Sequence, residues 1–380
     1  YIIPSTFDPR LISVIPSAVA QAAMKSGVAR KNINDLEVYK DQLINRLDPS
    51  MSLMQGINAK IKKNLKRVIF AEGEDQNMLK AAIEFGKNKL GIPILIGAEK
   101  RIREQLKEIG LDENYKIEII NSTDKTKREK YVKYLYKKLQ RDGQLERDVD
   151  RLVRNDRIAW GSSMIACNDA DAMVTGNIRH YAASIEKLKK VVDSRPGEEI
   201  FGMTMMVSKG KTILVADTNV VDFPTPERLS KVSISCVRVA RLFGFEPKVA
   251  FLSHSTFGKP VSKNTKHVRD AIELLKTKKV DFDFDGEMQP DVALNPIYQE
   301  IYPFSKIVGN ANILIMPALH SAAISTKLMK SFGGAKLIGP LLIGLGLPIE
   351  VAPLRSSTSD ILNLASIAAY SSDVIDYEKN

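Results

Sequence analysis

The chain has 380 residues, 44% of them hydrophobic and 27% charged, with a net charge of +11. That length supports two or three domains with real cores, and the composition excludes a disordered polyelectrolyte. No apolar run reaches the roughly 18 residues of a membrane span; the nearest, 339–354, is broken by Gly, Pro and Glu350.

Residues 1–50 read as helical, with apolar spacing at Val14, Ile15, Ala18, Val19 and Ala22 and a stop at Gly27; Pro49 and Gly56 bracket a polar linker. KRVIFAEGED (66–75) then opens a different pattern: an apolar strand over 68–71, an acidic glycine turn, and a helix from about Asn77. Short buried strands follow at PILIGA (93–98), IEII (117–120) and ADAMVTGN (170–177), with helices from Glu99 and over 181–192. MMVSKGKTILVAD (205–217) reads as a hairpin. Beyond it come a helix at 226–243, a strand VAFLS (249–253), a helix at 264–276, a strand ANILIMPA (311–318), a helix at 321–332, a last strand IEVA (349–352) and a final helix. Strands alternating with helices imply mostly parallel sheets covered on both faces.

Several motifs imitate known sites. Gly210-Lys211-Thr212 resembles the end of a P-loop, but Met205 stands where its first glycine belongs. Asp281-Phe-Asp283-Phe-Asp285-Gly286 resembles a calcium loop, but Val292 replaces the bidentate acid, and the alternation fits a strand with one wet face. Gly344-Leu-Gly346 lacks the third glycine of a dinucleotide fingerprint, because position 349 is Ile. His254 sits beside Ser253, Ser255 and Thr256 without a GxSxG elbow, so it reads as a polar loop at a strand's carboxyl end, where open α/β sheets bind ligands. Cys167 and Cys236, far apart and with only four histidines in the chain, make no zinc site; a reducing cytoplasm is expected. The basic stretch 125–157 has acids interleaved and Val132, Leu135 and Leu139 at helical spacing, which marks a solvated helix face over a nucleic-acid surface.

VIFAEGED (68–75), DADAMVTGN (169–177), ADTNVVDFPTPERL (216–229), VAFLSHST (249–256), FDGEMQPDVAL (284–294), VGNANILIMPAL (308–319) and GGAKLIGPLLIGL (333–345) together resemble phosphate acetyltransferases, from about Arg67 to Tyr370. Residues 1–29 resemble the closing segment of the nucleotide-binding domain of bacterial NADP-dependent malic enzymes. The chain, which opens on Tyr1, thus resembles the carboxyl-terminal part of a multidomain malic enzyme. The resemblance implies two α/β domains with mostly parallel sheets flanked by helices and a ligand cleft between them. Residues 56–204 with 345–380 would form the first domain and 205–344 the second, after a tail and linker over 1–50. It further implies that acetyl-CoA or CoA is a ligand, that phosphate can be one, and that NADP and a divalent metal belong to a domain upstream. The implied partners are that upstream domain and a further copy of the chain, with dimer contacts through the second domain; no membrane partner is expected.

The segment PLRSSTSDILNLA (353–365) carries the chemistry in this family. Asp360 matches an aspartate seven residues after a Ser-Arg pair, and here the pair falls on Pro353 and Leu354. Proline has neither hydroxyl nor backbone donor, and leucine cannot hold phosphate. Glu186 stands where the family has an arginine. A positioned acid–base group is worth about 10²–10⁴-fold in rate, so efficient acetyl transfer is not expected. Arg355 and Arg179 lie near the vacated places. Ser357 and Asp360 have capping-box spacing, and the helix start beside Arg355 makes an anion site. The ligand residues implied are Arg355, Ser356, Ser357, Thr358, Thr175, Gly176, Asn177, Arg179, His254, Ser255, Thr256, Asn312 and Lys327, with Asp360 as a possible base. The expected role is acetyl-CoA sensing and assembly; the alternatives are an active phosphate acetyltransferase, with Asp360 as base and Arg355 and Lys327 on phosphate, or a basic nucleic-acid or assembly module.

Overall fold

The computed structural model describes residues 11–33, 35, 36, 39, 40, 43, 49–111, 116–121, 124–208, 210–260, 262 and 265–377. The expectations for residues 1–10, and for much of 34–48, lie outside the described residues. Helix α1 (Leu11–Lys25) ends just ahead of Gly27, whose φ of +74° turns the chain. The linker expected between Pro49 and Gly56 is instead helix α2 (Pro49–Ile61). Its Met54, Ile57 and Ile61, at spacings of three and four, are buried in the main core, and that burial outweighs the weak propensity of Gly56.

The first sheet has the order β11-β4-β1-β2-β3 and is parallel throughout. Its strands are β1 (Arg67–Phe70), β2 (Ile92–Ile96), β3 (Glu118–Ile120), β4 (Ala172–Gly176) and β11 (Ile349–Ala352). Helices α3 (Gln76–Lys87), α4 (Glu99–Glu108), α5 (Lys125–Leu139), α6 (Glu146–Asn155), α7 (Arg157–Ala166) and α8 (Tyr181–Val191) connect them. The interior strand β4 is buried along its whole length, as a strand covered on both faces must be. Aspartates at the helix starts fix several boundaries: Asp75 accepts from Met78 N, Asp124 from Thr126 N and Lys127 N, and Asp156 from Ile158 N.

The basic stretch is not one helix. It breaks after Leu139 in a 3₁₀ turn closed by Gly143 at φ +79°. Val132, Leu135 and Leu139 face the core, and Arg128, Lys130 and Lys138 pair with Asp150, Asp169 and Asp193 at 3.1, 2.8 and 2.6 Å.

The second sheet has the order β10-β5-β6-β9-β7-β8. Its strands are β5 (Phe201–Ser208), β6 (Lys211–Ala216), β7 (Lys248–Leu252), β8 (Asp283–Met288), β9 (Ile313–Ile315) and β10 (Lys336–Ile343). Helices α9 (Pro226–Leu242), α10 (Lys266–Thr277), α11 (Pro290–Leu294) and α12 (Leu319–Ser331) accompany it. β5 and β6 form the expected antiparallel hairpin, so the P-loop look-alike is its turn. β5 begins at Phe201, so the boundary drawn at residue 205 falls inside it. β10 has no counterpart in the sequence reading. Gly339 and Pro340 interrupt its apolar run, and the structure accommodates them at a register shift between Ile338 and Leu341 on a sheet edge.

β10 also meets β11, where Leu342 N donates to the buried Glu350 side chain at 2.8 Å, so the two sheets are joined directly. The last helix, α13 (Thr358–Tyr377), returns to pack on α3, α2 and β4. Among the described residues no helix is long and apolar enough to cross a membrane.

Candidate functional site

The carboxyl ends of β1, β4 and β11 lie side by side, and their loops are tied together by a few polar residues. Glu72 follows β1, and its side chain is fully buried. Its Oε1 accepts from Thr175 Oγ1 at 3.0 Å, its Oε2 accepts from Gly176 N at 2.9 Å, and Arg179 Nη2 lies 3.6 Å from Oε1. Burial pushes the Glu72 carboxyl up to about 7, against the opposing pull of Arg179 and these hydrogen bonds. Gly176 has φ +107°, and a Cβ there would sit 2.3 Å from Ala352 O, so only glycine lets β4 end this close to β11.

Asn177 continues the tie in the left-handed region, at φ +68°. Its N donates to Ala352 O at 3.0 Å, and its Nδ2 donates to Asp75 Oδ1 at 2.6 Å. Its Oδ1 is buried without a hydrogen-bond partner, an exception to the usual satisfaction of buried polar atoms. Arg355, also left-handed at φ +59°, donates its N to Asn177 O at 3.0 Å and leaves its side chain exposed. Asn77, in the first turn of α3, donates Nδ2 to Ser356 O at 3.0 Å, so the starts of α3 and α13 converge on one loop.

The cap expected at 357–360 forms. Ser357 N and Oγ donate to Asp360 Oδ2 at 3.2 and 2.8 Å, and Asp360 N donates to Ser357 Oγ at 3.2 Å. Ser356 Oγ turns inward to Pro353 O at 2.8 Å. Thr358 opens the helix with its side chain half-buried.

The second sheet repeats the device at its own strand ends. Glu287, buried near the carboxyl end of β8, accepts from Ser255 Oγ at 2.9 Å and Gly258 N at 3.0 Å. Thr256 Oγ1 accepts from Gln289 N at 3.2 Å, and His254 is exposed with its carbonyl accepting from Gln289 Nε2 at 2.7 Å. Asp217 after β6 accepts from Gly202 N and Asn219 N at 2.9 and 3.1 Å, and burial pushes its carboxyl up.

The implied ligand residues therefore fall into groups. Thr175, Gly176, Asn177, Arg179, Arg355, Ser356, Ser357, Thr358 and Asp360 form one cluster. His254, Ser255 and Thr256 form a second, and among the described residues no hydrogen bond or ion pair links the two. Within them Thr175, Ser255 and Ser356 spend their hydroxyls on protein partners. Asn312 does not join either group: it precedes β9, at the opposite end of the sheet. Its Oδ1 accepts from Lys248 N at 2.8 Å and its Nδ2 donates to Glu246 O at 2.6 Å, so its side chain clamps two strand starts. Lys327 is exposed on α12, and Glu186 is exposed on α8.

The sequence reading did not nominate Glu72, Asp75, Asn77, Asp217 or Glu287. All five are acids or amides near the carboxyl end of a buried strand or at the helix start that follows it, inside segments already singled out.

This arrangement, with two α/β sheets and ligand-capable loops at the carboxyl ends of parallel strands, is the phosphotransacetylase fold. The chain aligns with a phosphotransacetylase from Streptococcus pyogenes with a TM-score of 0.78 and 28% identity, over 85% of this chain and 99% of that one. Residues 52–369 match the family model described as phosphate acetyl/butaryl transferase, and the chain belongs to that family. It is 31% identical to the phosphate acetyltransferase of Clostridium acetobutylicum over 83% of this chain and 97% of that protein. It is 45% identical to the NADP-dependent malic enzyme of Rhizobium meliloti over 371 residues, which is 97% of this chain and 49% of that enzyme. The chain spans about half the length of the malic enzymes it matches.

Proposed function

We propose that this chain is an acetyl-CoA-binding regulatory part of an NADP-dependent malic enzyme and carries out little or no acetyl transfer. In this proposal the oxidative decarboxylation of malate to pyruvate, with its NADP and divalent metal, belongs to a part of the protein outside this chain. The two lobes, one built on each sheet, close a cleft on the ligand; the protein works in the cytoplasm as a homo-oligomer.

The observation that carries this reading is the loop 353–360. Its scaffold is intact: the reciprocal Ser357–Asp360 cap, Arg355 pinned through its backbone to Asn177, and the helix start of α13 beside that of α3. Free N–H groups at such a start favour an anion by about 0.3–1 kcal/mol per charge when exposed, which suits the phosphates of coenzyme A. The acyl-transfer positions are not intact. Pro353 and Leu354 occupy a turn where a hydroxyl and a guanidinium would be needed to steady the thioester and the phosphate. Asp360 holds its own helix cap, and its carboxylate accepts both donors of Ser357.

Titrating the full-length malic enzyme with acetyl-CoA while following NADPH formation tests the reading. It expects the rate to change with a saturable dependence on acetyl-CoA, and the change to be lost in Arg355→Ala. Phosphate-dependent release of free thiol from acetyl-CoA, abolished by Asp360→Ala, would instead establish an active acetyltransferase.

A further inference from the structure

Arg179 is shared between two environments. One face of its guanidinium lies 3.6 Å from the wholly buried Glu72, while a quarter of the side chain remains exposed at the loop cluster that ends β4. A guanidinium carries five donors in a flat fork, so it can hold a carboxylate on one edge and an outside anion on the other. The anion-facing donor here is the guanidinium alone: the neighbouring Asn177 Oδ1, buried without a partner, is an acceptor and offers an anion nothing.

We propose that Glu72 is the resident counter-ion of Arg179, and that a phosphate-type dianion binding on the outer edge of Arg179 is coupled to uptake of one proton from solvent by Glu72. The inference deepens the anion-site reading above and rests on it for the location of the site.

The physical case starts with charge. With Glu72 ionised, Arg179 is neutralised before any ligand arrives. A dianion on the far side of the guanidinium places like charges a few ångströms apart in a poorly solvated loop cluster, where Coulomb interactions are stronger than in water. Protonation relieves that repulsion and returns the full charge of Arg179 to the ligand. The protonated state keeps its hydrogen bonds. Gly176 N still donates to Oε2, and a proton on Oε1 points at Thr175 Oγ1, 3.0 Å away, whose hydroxyl turns from donor to acceptor. The carboxyl, raised by burial to about 7, sits where such a proton changes hands near neutral pH.

The charged groups facing Glu72 from the packed elements are Arg179 from the β4–α8 loop and, more weakly, Arg157 from the start of α7. Arg157 is itself paired with Glu74 at 3.1 Å, and Asp75 is engaged by Asn177. Arg179 is therefore the cation whose charge Glu72 controls.

The test uses sulfate, whose charge is constant across the range, titrated calorimetrically into the full chain from pH 6 to 8.5 in buffers of different ionisation enthalpy. The expected result is net proton uptake on binding, largest near pH 7, and affinity that rises as pH falls. Glu72→Gln should bind sulfate on the order of tenfold more tightly than wild type at pH 8, with no proton uptake and a flat pH profile. A merely structural Glu72 predicts the opposite sign, weaker binding in Glu72→Gln. Arg179→Gln should lose both the binding and the proton uptake; circular dichroism melts establish that each variant is folded. Sulfate binding in wild type with no proton uptake, or no sulfate binding at all, overturns the proposal. Acetyl-CoA titrated in parallel separates the two readings, because its binding through the 353–360 loop can persist when the Glu72 linkage is absent.

Discussion

Ser357 and Asp360 satisfy each other across the start of α13: the serine N and Oγ both donate to the aspartate Oδ2, and the aspartate N donates back to the serine Oγ. Asp360, which the resemblance offers as a base, is thus part of a helix cap. Ser357→Ala removes the acceptor of one backbone N–H and one of the carboxylate's donors. It should destabilise the chain by about 1 kcal/mol, read as a lower urea midpoint with an unchanged m-value.

Asn312 tests the distinction between clamp and ligand contact. Its side chain holds Lys248 N and Glu246 O at the amino ends of β7 and β9. Asn312→Ala removes both contacts and, because water can reach the exposed Glu246 carbonyl, should cost about 1 kcal/mol, mainly from Lys248 N. Acetyl-CoA affinity measured well below the melting temperature should be unchanged, because the site lies at the other end of the strands.

Gly176 ends β4 against Ala352 of β11. Alanine there meets a φ of +107° and the Ala352 carbonyl together. Gly176→Ala should destabilise by about 2 kcal/mol or more and, unlike Asn312→Ala, also weaken ligand binding, since Thr175, Asn177 and Arg179 move with it. Parallel melting and binding measurements on the two variants separate the effects.

Glu350 sets a pH dependence of stability. Burial raises its carboxyl from its ordinary 4.5 to about 8. The folded chain then keeps a proton that the unfolded chain releases near pH 4.5. Stability from this group is therefore fully present below that pH and is lost as pH rises towards 8. Glu72, raised to about 7, acts with the same sign over a narrower window. Glu350→Gln still accepts from Leu342 N but carries no proton to lose. It should match wild type near pH 4.5 and exceed it by on the order of 5 kcal/mol at pH 8.5, as read from urea unfolding at the two pH values.

Periodicity and turn residues made most elements legible: β11 spans the IEVA segment, α8 and α9 end within a residue of expectation, and the 357–360 cap is where its spacing puts it. The misses have physical causes. β10 hides behind Gly339-Pro340, which reads as a turn until a sheet edge and a bulge absorb it. α2 hides because Gly56 and flanking polar residues mask a buried Met54, Ile57, Ile61 stripe. At the site, hydroxyl and basic residues stand out in a sequence, whereas the buried acids that hold them do not. Glu72, Asp217 and Glu287 each take a backbone N–H from a neighbouring strand or loop, and those contacts exist only after the strands are brought together. Asn312 shows the converse: an amide next to a strand can serve either end of it, and only the fold says which.

The most direct measurement titrates acetyl-CoA into one folded preparation by calorimetry, with phosphate present, and then assays the recovered mixture for free thiol. The account predicts saturable heat and acetyl-CoA recovered intact. Saturable heat accompanied by stoichiometric or catalytic thiol release, or no heat at millimolar acetyl-CoA, would contradict it.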